Sequence, residues 1–422
     1  MNICKCLQCN TCGTKIDCRI GMSNRDIQPF QFACPNCEER ISFVFGQEDG
    51  ELRGANELII KPNELFNGEN PFIDLHLDFP VYFGKYEMGM TTFMRVTREI
   101  SLDAYRHLNL RLDMLNRLYP MQHDLRSVIT QFKRGDIDSF EKTCARLPGV
   151  NLKSHKQQDV LAALYSATSI MSSPFTIHGV NAEISEGAPQ ICRWLHESHP
   201  DKTLEFIEEI LANEFLRNLH NDCLSLYPKL ISMDLPFRSA FFYDYADNDN
   251  IGRNPARIST ADFDVCSNYY KDLSEVFARQ LTFLAGLNNL MKRGDSDQFE
   301  PSLKVTTLGK ARLDLVSLNA FANVDLGNKL RFIDDCFYKI DTSAIDNKLR
   351  NGIAHYKYDY KESTQTITYY PSREGMSREK YHETSFMEFM RKSLLLFREV
   401  HNVNHIIKAV LFYCVLILKK EI

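Results

Sequence analysis

The sequence predicts a mainly α-helical protein that begins with a small cysteine-rich module. After residue 98, apolar residues recur at spacings of three and four over most of the chain, which is the pattern of amphipathic helices. Seven of the 13 cysteines lie within the first 37 residues. A stretch of alternating apolar and polar residues, Tyr356 to Pro371, predicts a β-hairpin with a turn near Ser363 inside the C-terminal helical part.

The length and composition exclude several classes of protein. A chain of 422 residues is too long for one ordinary domain, so we expect two or three. The residues are 44% hydrophobic and 25% charged, as in soluble globular proteins, and the formal net charge is -5. Proteins that bind nucleic acid over their whole surface are usually basic. Any contact with nucleic acid must therefore use a local patch or groove.

The apolar segments do not indicate export or a membrane span. The start, Met-Asn-Ile-Cys-Lys-Cys, lacks the apolar stretch of a signal peptide. The most apolar run, Ile406 to Leu418, contains Lys408 and is too short to cross a bilayer, so we expect a buried helix there. We expect a cytoplasmic protein with no membrane partner, whose thiols stay reduced.

The chain is expected to contain four regions. In the cysteine-rich first region, two alternating segments near residues 30–32 and 41–45 predict short strands. Glycine, asparagine and proline interrupt the region that follows it. A calcium loop starting at Asp247 is rejected because Ile258 stands where a bidentate glutamate is required. The regions are a cysteine-rich module at 1–48, a mixed connecting segment at 49–97, a helical middle region at 98–255 and a second helical region at 256–422.

Helix boundaries in the last region are predicted from capping residues. A long helix should begin near Ser259 and end at Lys292-Arg293-Gly294, where basic residues precede a glycine. Further helices are expected near 308–322 and 327–340. The last helix should start at Ser385, with Glu388 completing a capping box, and a break is expected near Asn402 or Asn404.

The N-terminal cysteines have the spacing of a tetrahedral metal site. Cys9-x2-Cys12 and Cys34-x2-Cys37 are two pairs that can each hold one ion from a tight turn. This segment resembles a zinc ribbon. Because sulfur would fill all four positions, we expect a structural Zn2+ rather than a catalytic one.

The ligand set and the role of this module stay open from the sequence alone. Cys6-x2-Cys9 is a competing pair, and Cys4 and Cys18 are further candidates. The metal can simply stabilise a segment that is too short to form a sufficient hydrophobic core of its own. It can also build a module that recognises nucleic acid or a protein.

The segment Arg350-Asn-Gly-Ile-Ala-His355 carries residues suited to phosphodiester cleavage. A histidine can exchange a proton with a ribose 2'-hydroxyl or with the leaving oxygen. Arginine can hold the phosphate, and Asn351 can orient either group. On a regular helix, residues five apart differ by about 140° in direction, so Arg350 and His355 would meet only through a distorted turn or across a dimer axis.

This segment resembles the R-x4-H motif of HEPN ribonucleases, including the polar residue after the arginine. The resemblance covers the last 165 residues or so and implies a C-terminal helical bundle with a small β-hairpin insertion. It also implies a homodimer that cuts RNA without metal, with Arg350, Asn351 and His355 as catalytic residues. Relatives in this family act in bacterial phage defence, abortive infection or toxin systems, so a phage-derived trigger is expected. The alternative is a non-catalytic HEPN-like module for RNA binding, protein binding or dimerisation, with the zinc ribbon as its adaptor.

Overall fold

The computed structural model describes residues 2–46, 50–61, 64–246, 256–260, 262–308, 311–371 and 380–422, and the fold is mainly α. The rejected calcium loop lies largely outside the described residues. The N-terminal part consists mainly of strands: β1 Asn2–Cys9, β2 Lys15–Gly21, β3 Gln28–Ala33, β4 Arg40–Phe45, β5 Ala55–Leu58, β6 Phe72–His76 and β7 Val81–Tyr82.

The middle of the chain is helical, as the apolar spacing predicted. Several ends have a clear local cause: Thr91 and Asp136 accept hydrogen bonds at the starts of two helices, and Gly135 ends a third with a positive φ of 71°. The helices are α1 Thr92–Glu99, α2 Leu102–Leu118, α3 Gln122–Arg134, α4 Ile137–Cys144, α5 Gln157–Thr176, α6 Asn181–Ser198, α7 Pro200–Ala212, α8 Phe215–Ser232 and α9 Asp234–Ala240.

The C-terminal part contains two 31-residue helices and several short elements. Its elements are β8 Ala256–Arg257, α10 Phe263–Arg293, α11 Pro301–Lys304, β9 Val305–Leu308, β10 Ala311–Asp314, α12 Leu318–Ala322, α13 Leu326–Phe332, α14 Asn347–Ala354, β11 Tyr358–Lys361, β12 Thr366–Tyr369, β13 His382–Ser385 and α15 Phe386–Leu416.

The first strands form two hairpins. In one sheet, β1 pairs with β2, while β5 and β6 add outer strands, giving the order β5-β1-β2-β6. The strands β3 and β4 form a separate antiparallel pair. Ile16, Ile20, Phe30, Ile41 and Leu75 belong to one buried cluster, so apolar residues from both hairpins and from β6 share a core.

The residues group into two compact units, each assembled from separated segments. The first comprises Met1–Arg117, Ser232–Tyr269 and Lys348–Leu394, and the second comprises Leu118–Ile231, Tyr270–Asn347 and Leu395–Ile422. These units are not continuous in sequence, and the division of the chain into the four ranges 1–48, 49–97, 98–255 and 256–422 remains a prediction. Among the helices of the described ranges, none combines the length and apolar character that crossing a bilayer requires.

Two predicted helix ends in the C-terminal part are confirmed. Gly294 follows α10 with a φ of 72°, and its N–H donates to the carbonyl of Leu290. The hydroxyl of Ser385 accepts from the N–H of Glu388 at the start of α15. The predicted hairpin is present as β11 and β12, and β13 adds a third strand to it.

Other expectations for this part are wrong. The long helix starts at Phe263 rather than near Ser259, and the stretches expected as helices near 308–322 and 327–340 contain β9, β10 and only the short helices α12 and α13. Helix α15 runs without a break through Asn402 and Asn404. Both side chains are buried. Asn404 donates to the hydroxyl of Tyr227, so a partner distant in sequence stabilises this polar residue inside the helix.

Candidate metal centre and the Arg350–His355 segment

Four cysteine sulfurs meet between the tips of the two N-terminal hairpins. The Sγ atoms of Cys9, Cys12, Cys34 and Cys37 all lie within 4.8 Å of one another. The Cys9–Cys37 and Cys12–Cys34 pairs are 3.6 Å and 3.7 Å apart. In a tetrahedral site with metal–sulfur bonds of about 2.3 Å, the sulfurs would be about 3.8 Å apart. The four thiols therefore have the number, type and spacing needed to hold a tetrahedral metal ion.

Each cysteine pair lies in a turn of the same kind. The N–H of Gly13 donates to the carbonyl of Cys9, and the N–H of Glu38 donates to that of Cys34. Gly13 has a φ of 72° and Glu38 a φ of 62°, so both turns end on a left-handed residue. These turns point the two sulfurs of each pair toward one position, which explains why two residues separate them.

Cys12 is the cysteine with the strongest local stabilisation of its thiolate. Its Sγ lies 3.2 Å from the hydroxyl of Thr14. Hydrogen bonds from the side chain of Thr14 and then from Asn36 lower the pKa of Cys12 to about 5. Because thiolates rather than thiols bind metal, this arrangement favours the ligating form.

The three other N-terminal cysteines lie within strands rather than in the turns. Cys4 and Cys6 belong to β1 and Cys18 belongs to β2. Cys6 and Cys18 are buried, and burial raises the pKa of both thiols. None of the three is part of the group of four sulfurs that meet. The competing Cys6-x2-Cys9 pair is therefore not the arrangement in this structure.

The Arg350–His355 segment forms the C-terminal part of helix α14 and the cap that follows it. The N–H of His355 still donates to the carbonyl of Asn351, as in a regular helix. Tyr356 then adopts a φ of 56°, and the N–H groups of Tyr356 and Lys357 donate to the carbonyls of Ile353 and Gly352. These are the two hydrogen bonds of a Schellman motif. His355 is thus the last residue before the chain reverses, and its side chain is exposed.

The two polar residues at the start of the motif contact each other. The guanidinium of Arg350 donates to the Asn351 side-chain oxygen over 3.1 Å. Within the described part of the chain, no hydrogen bond joins the imidazole of His355 to either residue. Since the helix is regular up to His355, the distorted turn considered from the sequence is not present. On such a helix, residues five apart leave the backbone in directions that differ by about 140°.

Glycine is needed at position 352 because strand β12 packs directly against helix α14 there. A Cβ atom at this position would lie 2.9 Å from the Cβ of Tyr369 and 3.4 Å from the carbonyl oxygen of Lys357. The N–H of Tyr370 donates to that same carbonyl. The hairpin therefore holds α14 from one side and leaves Asn351 and His355 exposed on the other.

The hairpin is in turn attached to a buried strand–helix connection. The side-chain amide of Gln365 both accepts from the N–H of Ile258 and donates to its carbonyl, each over 2.8 Å. Phe263 stacks on Tyr360 at 4.5 Å between ring centroids and also contacts Phe386. These contacts fix the hairpin, and with it the orientation of α14.

The turn of this hairpin also contacts the second cysteine turn. Ser363 donates to the carboxylate of Glu38 over 2.5 Å, and Arg40 pairs with Asp262 at 2.6 Å. The sequence offered no local signal for this proximity, because Glu38 and Ser363 are both polar turn residues separated by 325 positions. The candidate metal centre and the Arg350–His355 segment thus belong to the same compact unit.

Comparisons of this chain with protein-family models, with curated proteins and with solved structures found no match.

Proposed function

We propose that this protein is a metal-independent endoribonuclease of the HEPN type, in which Zn2+ has a structural role. The observation that carries the proposal is an arginine–asparagine pair that lies one helical turn before an exposed, helix-ending histidine. These are the groups that cleavage of a ribose phosphodiester requires: a cation for the phosphate and a proton carrier for the 2'-hydroxyl.

The surface around α14 suits RNA. Lys348 and His355 are exposed, and 77% of Tyr356 is exposed next to them. Exposed aromatic rings can stack on unpaired bases, and lysine and arginine neutralise phosphates. A local basic and aromatic surface is also compatible with the formal net charge of -5, because only this patch has to contact the substrate.

The direction of the side chains favours a composite site made by two copies. Because the helix is regular up to His355, Arg350 and His355 of one chain leave the backbone in directions that differ by about 140°. In a two-fold dimer, the same surface patch of both subunits meets, so the arginine of one copy can face the histidine of the other. We therefore propose a homodimer through the HEPN-like part, with His355 as general acid or base and Arg350 as the phosphate ligand.

The four cysteines favour a zinc ion with a structural role. Four thiolates at tetrahedral spacing are a typical structural zinc set, and they leave no open position for water or substrate. The metal is proposed to hold the two hairpin tips together. A bacterial cell would use the RNA cleavage during phage infection or for growth arrest, with a phage-derived signal as the trigger.

The first experiment compares variants in cells. The wild type, His355→Ala and Arg350→Ala are expressed in bacteria, with and without phage infection, and growth and RNA integrity are measured. His107→Ala serves as the matched control because His107 is another exposed histidine of the same unit. We expect RNA cleavage and growth arrest with the wild type and with His107→Ala, and intact RNA with the other two variants.

A second experiment uses purified protein and a labelled RNA. We expect cleavage that continues in EDTA while the protein retains its zinc, and products that end in a 2',3'-cyclic phosphate. Cleavage that needs added metal would reject the proposed chemistry. RNA binding without cleavage by the wild type in every condition would instead support the alternative, a non-catalytic HEPN-like binding or dimerisation module.

A further inference from the structure

A cavity of about 560 Å³ lies between helix α6 and the C-terminal half of helix α15, within the second unit. Its walls are mostly apolar, with Pro189 from α6 facing Ala409, Phe412 and Leu416 from α15. Leu416 and the following Ile417 are 44% and 57% exposed at its mouth. A cavity of this size and character is typical of sites for small ligands.

One side chain of this cavity is a cation without an acidic partner. Lys408 lies in its wall, half-buried among apolar residues. Its ammonium group donates to the hydroxyl of Ser185 over 3.3 Å and lies 5.7 Å from the ring centroid of Tyr165. In the part of the chain that the structure describes, no carboxylate pairs with it. A half-buried ammonium without a counter-ion destabilises the fold, unless an anion can approach it.

The other polar groups of the cavity do not neutralise this charge. Among the described residues that line it there is no aspartate or glutamate, and Arg193 is already paired with Glu197 at 2.9 Å, so Lys408 carries the unpaired charge. The imidazole of His405 lies 2.7 Å from the amide oxygen of Asn181. Burial, followed by the charge of Lys408, lowers the pKa of His405 to about 4, so this ring stays neutral. His196 is paired with the hydroxyl of Tyr413 at 2.8 Å.

We propose that this cavity binds an amphipathic carboxylate, such as a medium-chain fatty acid, with its head group on Lys408 and its chain along the apolar wall. The charge of the cavity selects an anion, and its apolar walls select a molecule with a hydrocarbon tail. Burial of the hydrocarbon tail and a partly desolvated ion pair with Lys408 would then both contribute to the binding free energy. This proposal does not depend on ribonuclease activity.

The test measures binding of three compounds to the full-length protein by titration calorimetry. Decanoate carries both a tail and a negative charge, decanol has the tail only, and acetate has the charge only. We expect decanoate to bind at least about tenfold more tightly than either of the others, which corresponds to the contribution of one ion pair or more. Equal binding of decanoate and decanol would show that Lys408 does not select the head group, and so would overturn the proposal.

Three variants separate the contributions. Lys408→Met should weaken decanoate binding by about tenfold or more and leave decanol binding unchanged, whereas Lys408→Arg should retain decanoate binding. Lys419→Met, which removes an exposed lysine near the same chain end, is the matched control and should have no effect.

Ala409→Phe should fill the cavity and reduce the binding of decanoate and decanol alike. The melting temperature of each variant without ligand shows that it is folded. Undiminished decanoate binding by Ala409→Phe would place the ligand elsewhere and overturn the proposal.

Discussion

Gly352 and Tyr369 approach so closely that a Cβ atom on Gly352 would lie 2.9 Å from the Cβ of Tyr369. A new methyl group here meets the base of a side chain, which cannot rotate away. Overpacking of this kind destabilises proteins by about 1–3 kcal/mol, which exceeds the gain of about 1 kcal/mol from replacing glycine by alanine in a helix.

We therefore expect Gly352→Ala to lower the free energy of unfolding by about 1–2 kcal/mol, measured by urea denaturation. Gly187→Ala is the matched control, since Gly187 lies exposed in helix α6 with no atom within 4 Å of an added Cβ. That variant should gain stability. Equal gains in both variants would mean that the hairpin does not pack on α14 in solution.

Gly13 ends the first cysteine turn with a φ of 72° and has open space around it. Gly13→Ala should therefore act only through backbone strain, about 1–2 kcal/mol for a left-handed alanine, and this strain should weaken zinc binding. Gly149→Ala introduces the same strain at a φ of 81°, also without contacts, in the other unit. We expect both variants to lower the melting temperature, but only Gly13→Ala to release zinc more readily to a chromophoric chelator.

The four-sulfur site predicts one metal ion per chain. Cys37→Ser should reduce the zinc content of the purified protein to near zero and lower the melting temperature, because metal binding contributes folding free energy. Cys4→Ser removes an exposed thiol of β1 that lies outside the group of four, and should leave the zinc content at one. Inductively coupled plasma mass spectrometry measures both, and a variant of Cys37 that retains full zinc content would contradict the ligand set.

Glu399 predicts a pH dependence of stability. Its side chain is only 6% exposed, and burial raises its pKa to about 7 although Tyr338 donates to its carboxylate. Between the ordinary pKa of a glutamate and about pH 7, the native state therefore holds a proton that the unfolded state has released. The stability of the native state is highest below the ordinary pKa, where both states are protonated, and it falls as the pH rises through about 7.

Glu399→Gln should remove this loss. Both hydrogen bonds, from Tyr338 and from the N–H of Asp341, reach the same oxygen, which the amide oxygen of glutamine can replace. At about pH 8, we expect the variant to be more stable than the wild type by about 2 kcal/mol, with a smaller difference at about pH 5. Urea denaturation at both values measures this, and parallel stability curves would show that Glu399 is already ionised in the native state.

Features set by local residues were predictable from the sequence. The spacing Cys9-x2-Cys12 and Cys34-x2-Cys37 reflects the geometry of two turns, and each turn is complete within six residues. The glycine end of α10, the serine start of α15 and the β11–β12 hairpin likewise depend on neighbours in the chain. Such signals need no knowledge of distant contacts.

Features set by distant residues were not predictable. Asn402 and Asn404 indicated a break because asparagine usually lies at helix ends and in loops, but the hydroxyl of Tyr227 satisfies Asn404 inside the fold. Strands β5 and β6 lie in a segment that glycine, asparagine and proline interrupt, and the sequence did not predict that they pair with β1 and β2. The positions of Arg350 and His355 followed from helix geometry, whereas the hairpin that covers Gly352 from one side did not.

Through the contact between Ser363 and Glu38, a metal ion held by the four cysteines would influence more than the two hairpins that bind it. Glu38 is the residue that closes the second cysteine turn, and Ser363 lies in the turn of the hairpin that packs on α14. Losing the metal, or oxidising its thiolates, would release the Glu38 turn and with it one support of the hairpin. Whether a metal ion is bound to the four sulfurs would then affect the Arg350–His355 segment, so metal supply and redox state would influence how well that segment is ordered.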